Sequence, residues 1–130
     1  MMVSELLTLR GATDNTNTTG VFSLTSDLIY GSVQYIQIPK GMKAKIWCKR
    51  ISGAAVEVII EYTHNILETP PTFTEVDREV LTSTGEISLE KRRPIVLRGI
   101  TGLEGFRVSW NQSTPGLSYV ELEVELTDDE

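Results

Sequence analysis

Tyr119-Val120-Glu121-Leu122-Glu123-Val124-Glu125-Leu126-Thr127 alternates apolar and polar residues without a break. Successive side chains of an extended chain point to opposite faces, so Val120, Leu122, Val124 and Leu126 share one face. Glu121, Glu123 and Glu125 share the other. This is a β-strand with one face on a core and the other in water or against a partner.

The same period runs back through the chain. In Lys43–Arg50, Ala44, Ile46 and Cys48 fall inward, while Lys43, Lys45, Trp47 and Lys49 fall outward. Val56, Val58, Ile60 and Tyr62 share a face opposed by Glu57 and Glu61, and Phe106, Val108 and Trp110 form another inward set. Shorter strands are expected at Ser4–Leu9, Val21–Leu24, Ser32–Ile38, Thr74–Leu81, Glu86–Leu89 and Ile95–Arg98. Pro39-Lys40-Gly41, Ser52-Gly53, Thr69-Pro70-Pro71 and Thr114-Pro115-Gly116 punctuate them as turns. No segment carries helical periodicity over ten residues. About eight to ten short strands at this spacing predict an all-β protein: an antiparallel β-sandwich, jelly-roll-like.

The 130 residues make one domain, 1–130, with enough apolar content (40%) to build a core without staples. Residues 1–20 are expected as an N-terminal strand plus a flexible arm. Gly11–Gly20 is rich in Thr and Asn, including Asn15 and Asn17, and holds no hydrophobe larger than Ala. It reads either as a surface loop or as a segment that orders on a partner. No apolar run approaches the roughly 20 residues that span a bilayer, and Met1–Arg10 does not read as a signal peptide. The asparagines of Asn17-Thr18-Thr19 and Asn111-Gln112-Ser113 are therefore expected to stay unmodified.

The composition gives catalysis little to work with. The chain has one His (His64) and one Cys (Cys48), so neither a nucleophile–base pair nor a conventional zinc set is expected. Cys48 is expected as a buried thiol. The acidic clusters match no EF-hand spacing. No enzyme activity, cofactor or metal is predicted. The net charge of −6 speaks against general nucleic-acid binding.

The charge is unevenly placed, and this points to a partner. Lys40–Arg50 holds five basic residues and no acidic one, whereas Glu121–Glu130 holds six acidic residues and no basic one. The Lys43/Lys45/Lys49 and Glu121/Glu123/Glu125 faces could be neighbours in one sheet, or could meet between copies in a ring. Lys91-Arg92-Arg93-Pro94 is a compact basic motif in an acidic chain. Arg92 and Arg93 suit an acidic partner surface through bidentate contacts, or a solvated turn. Trp47 on an outer face marks an interface, or a sugar-stacking platform extended by Tyr30 and Tyr35.

Ile38-Pro39-Lys40-Gly41-Met42, Leu89-Glu90-Lys91-Arg92-Arg93-Pro94 and Tyr119-Val120-Glu121-Leu122-Glu123-Val124, in a short chain of this style, resemble the small jelly-roll decoration (cement) proteins of tailed bacteriophage capsids. The resemblance is architectural and spans most of the chain. It implies a homotrimer on the outside of a virion, made in the host cytoplasm, which contacts a major capsid protein and stabilises the shell. It carries no catalytic residues over. The alternative is a carbohydrate- or receptor-binding β-sandwich module, with a glycan as partner.

Overall fold

The alternating segments form two antiparallel sheets. A computed structural model describes residues 4–26, 29–53, 55–81, 85–86 and 95–128, none of them helical. Through them run β1 (Ser4–Ala12), β2 (Thr19–Val21), β3 (Leu24–Ser26), β4 (Ile29–Val33), β5 (Ile36–Gln37) and β6 (Met42–Gly53). The second half supplies β7 (Val56–Thr63), β8 (Thr74–Leu81), β9 (Gly85–Glu86), β10 (Ile95–Arg98), β11 (Gly105–Asn111) and β12 (Ser118–Asp128).

Eight of these strands make the frame, in the orders β10-β6-β12-β1 and β2-β11-β7-β8. That is the pair of interlocked four-stranded sheets of a jelly roll. Beyond β1 the first sheet continues into β3 and β4, and β9 pairs with β6; β5 pairs with β11 in the second. The sheets thus have seven and five strands.

Most of the inward positions predicted from the alternation build the core, with Tyr62 half-buried against it. Leu7 and Leu9 of β1, Ala44 and Ile46 of β6, and Val120, Leu122, Val124 and Leu126 of β12 are all buried. Across from them lie Val56, Val58 and Ile60 of β7 and Phe106, Val108 and Trp110 of β11, also buried. Phe22 packs on Trp110 with ring centroids 5.2 Å apart. Fully burying a Leu, Val or Phe side chain contributes roughly 1.5–3 kcal/mol, so this double layer dominates the stability.

Among the described residues twelve strands stand where eight to ten were expected, because two expected strands divide as the chain passes between sheets. Val21–Leu24 splits into the end of β2, in the five-stranded sheet, and the start of β3, in the seven-stranded one. Phe22, between them, is fully buried, and its amide still donates to the Val108 carbonyl at 2.8 Å. Ser32–Ile38 divides in the same way into β4 and β5. Alternation does not reveal the switch, since both sheets face one core.

Gly11–Gly20 is a bonded crossover rather than an arm. Gly11 and Ala12 complete β1, and Thr19 and Gly20 open β2 in the opposite sheet. Between them the buried Thr13 donates from its hydroxyl to the Gly116 carbonyl (2.6 Å) and accepts from the Ser118 amide (2.8 Å). The Gln112 side-chain amide donates to the Asp14 and Asn17 carbonyls, each at 2.9 Å. The Asp14 carboxylate accepts from the Thr16 and Asn17 amides and from the Asn17 side chain. Its pKa is lowered, first by the Asn17 side chain and then by these amides.

Candidate functional site

The outer face of the seven-stranded sheet collects most of the residues singled out from the sequence. Strands β6 and β12 are neighbours, with Lys45 opposite Glu125, Trp47 opposite Glu123 and Lys49 opposite Glu121. The basic and acidic stripes are therefore side by side in one chain. Lys45 Nζ lies 3.7 Å from Glu125 Oε1. Lys43 stands opposite Thr127. On the far side of β12, Arg10 of β1 pairs with Glu121 at 3.1 Å. Exposed cross-strand pairs of this kind contribute about 0.2–1 kcal/mol each.

Ion pairing does not account for the whole face. Glu123 has Trp47 and Thr8 as its cross-strand neighbours, neither of them a cation. Leu6, opposite Glu125, is 60% exposed, and Tyr119 is 45% exposed. Val96 of β10, opposite Lys45, is 37% exposed. Trp47 is half-buried. Leu6, Val96, Tyr119 and Arg10 were not singled out from the sequence. The signal for Leu6 was the Leu6-Leu7 doublet, which must place one leucine outward in a strand.

The other sequence candidates lie elsewhere. Asn15 and Asn17 belong to the crossover between sheets, where Asn17 is bonded to Asp14. Arg92 and Arg93 fall outside the described residues. Tyr30 is in β4, and β12, β1 and β3 intervene between it and Trp47. Four strand spacings of about 4.8 Å put these two positions roughly 19 Å apart across the sheet. Tyr35 lies in the link between β4 and β5. The aromatic platform expected as an alternative is therefore not assembled by this fold. Cys48 stands opposite the buried Leu122. His64 is exposed and edge-on to Tyr62, with centroids 5.0 Å apart.

The outer face of the five-stranded sheet carries a shallow concavity of about 410 Å³, lined in part by Glu61, Arg78, Arg107 and Ser109. Its charges already pair with one another. Glu61 accepts from Arg107 Nε (3.0 Å) and from the Ser109 hydroxyl (2.8 Å). Arg78 bridges Glu57 and Glu75. Its pKa is raised and that of Glu75 lowered, in each case chiefly by their mutual hydrogen bond. The Arg107 guanidinium also sits 4.1 Å over the Phe73 ring.

Glu104 is a third group that the sequence did not announce. It is only 3% exposed. Its carboxylate accepts from the Thr101 amide and hydroxyl at 3.1 Å and from the Gly102 amide at 3.0 Å. Burial pushes this carboxyl up, but the main-chain amides and the Thr101 hydroxyl outweigh burial and hold it below its ordinary value. Its work is to tie the β10–β11 turn. Among the described residues no three His, Cys, Asp or Glu side chains gather as metal ligands.

No protein-family model and no curated protein matches the chain. Its fold is similar to that of a solved chain from the Bacillus endospore appendages, which form a family of disulfide-linked pili. The TM-score is 0.52 at 12% identity, over 98% of this chain and 87% of the other.

Proposed function

We propose that this chain is a non-enzymatic structural protein that works by docking one sheet face onto protein surfaces in a larger assembly. The observation that carries this is the outer face of β10-β6-β12-β1. There, charge is laid out in central stripes of opposite sign on β6 and β12, and the exposed Val96 of β10 and Leu6 of β1 flank them. Exposed apolar groups beside stripes of opposite charge suit docking onto a protein surface. The two other polar constellations are closed on themselves, the Glu61–Arg107 network by ion pairs and Glu104 by amides.

The specific assembly proposed is a viral capsid, on which the chain acts as a decoration protein that oligomerises and cements the shell from outside. This finer step rests on the architectural resemblance in the sequence. The likeness to the pilus chain concerns the fold alone. Sedimentation of the full chain with undecorated tailed-phage capsids tests it. Saturable co-sedimentation, together with a native mass above that of one chain, is expected. A strict monomer that leaves capsids bare would overturn it.

A further inference from the structure

Two register rows on the outer face of the seven-stranded sheet are complementary in charge to their own reversals. One row, across β10, β6, β12 and β1, is Val96–Lys45–Glu125–Leu6: apolar, positive, negative, apolar. A second, across β9, β6, β12 and β1, holds the positions Glu86–Lys49–Glu121–Arg10: negative, positive, negative, positive. Reversing either row swaps each charge for its opposite and each apolar position for another apolar one. Between them lies Trp47–Glu123–Thr8.

We propose that this face is a self-association surface, on which a second copy of the chain docks face to face about a two-fold axis running along the strands between β6 and β12. The proposal rests on the assembly reading above and names its contact. Such an axis exchanges β6 with β12 and β10 with β1. It lays Lys45 of each copy over Glu125 of the other, and Leu6 over Val96. The contact is isologous, so both copies use one patch and the pair closes. Trp47 meets Glu123, and an indole offers that carboxylate an N–H donor. Packed sheets lie about 30° from parallel because each is twisted, so the fit is closest at the Lys45 and Trp47 rows and opens toward the ends.

The size of the face is consistent with a pair. Four strands spaced about 4.8 Å and roughly nine residues long at ~3.3 Å each cover about 570 Å² per copy. Two copies then bury at most about 1,100 Å², close to the ~1,000 Å² expected of a specific interface. The pair is therefore modest in affinity and concentration-dependent. Ion pairing within one chain explains the adjacent stripes. It does not explain a leucine 60% exposed beside the acidic stripe, which a second copy covers with Val96.

Charge reversal with complementation tests this on the full chain. Lys45→Glu sets like charges against Glu125 across the interface, and Glu125→Lys sets them against Lys45. Each variant alone is expected to weaken self-association roughly tenfold or more, since like charges across an interface cost several kcal/mol. An equimolar mixture restores pairing, because each copy then meets the opposite sign. Leu6→Glu, at an exposed position, should abolish pairing with the melting transition retained. Self-association unchanged in these variants would overturn the proposed face and leave the assembly reading standing. A wild-type chain that coats capsids yet never pairs would do the same. A chain that neither pairs nor coats capsids would overturn both.

Discussion

Replacing Leu122 and Glu123 in turn separates the two faces of one strand by their energetic cost. Leu122 has no exposed surface and lies between Leu9 and Cys48 in the register. Leu122→Ala removes buried methyl and methylene groups and leaves a cavity that rigid neighbours on two strands fill poorly. Together these cost about 2.7–5 kcal/mol. For a domain of this size each kcal/mol lowers Tm by roughly 3–5 °C, so a fall of about 10–15 °C or more is expected. Leu122→Asp adds an unpaired buried charge and should leave no folded domain. In the monomer at low protein concentration, Glu123→Ala, one residue on and facing outward, should change stability by less than about 0.5 kcal/mol. Urea unfolding followed by circular dichroism reads both, with the midpoint moved and the m-value kept for Leu122→Ala. Similar, small effects at both positions would refute the face assignment.

Three further outcomes follow from the structure. Gly20 of β2 stands opposite Trp110, and a Cβ there would overlap the indole; Gly20→Ala should cost about 1–3 kcal/mol by overpacking, measured as a lower Tm. The Glu104 carboxyl is held below its ordinary value of 4.5 in the folded chain. Its stabilisation is thus present above about that pH and lost as pH falls through the lower folded value. Glu104→Gln should lower the neutral-pH Tm and flatten its decline below pH ~4.5; an unchanged acid limb would contradict the role given to this carboxylate. A double-mutant cycle on Lys45 and Glu125, read in the monomer at low protein concentration, should return a coupling of about 0.2–1 kcal/mol.

Much of the fold was written in the alternation, because a period of two both names a strand and assigns its faces. The inward sets of β6, β7, β11 and β12 follow from that rule alone, as does the outward position of Trp47. Which strands lie side by side does not. The Lys43/Lys45/Lys49 and Glu121/Glu123/Glu125 stripes could equally have met between copies, since β6 and β12 are far apart in sequence and only the closed topology makes them neighbours. The sheet switch at Phe22 was hidden because a residue crossing between sheets still faces the core. Glu104 was hidden for another reason. A carboxylate following Thr101-Gly102-Leu103 looks like part of a solvated turn, and only the fold shows that it turns inward onto the amides before it. In the sequence Leu6 is one of three leucines in a short strand. Its exposure became informative only beside Val96, Trp47 and the charge stripes.

Imaging the protein in its native assembly, at a resolution that traces strands, tests the central claim most directly. The account predicts that the outer face of β10-β6-β12-β1 is covered by protein, with Leu6 of one copy against Val96 of another and the Lys45 and Glu125 stripes crossed between them. An assembly in which every copy leaves that face open to solvent, and makes its contacts through other surfaces, would contradict it.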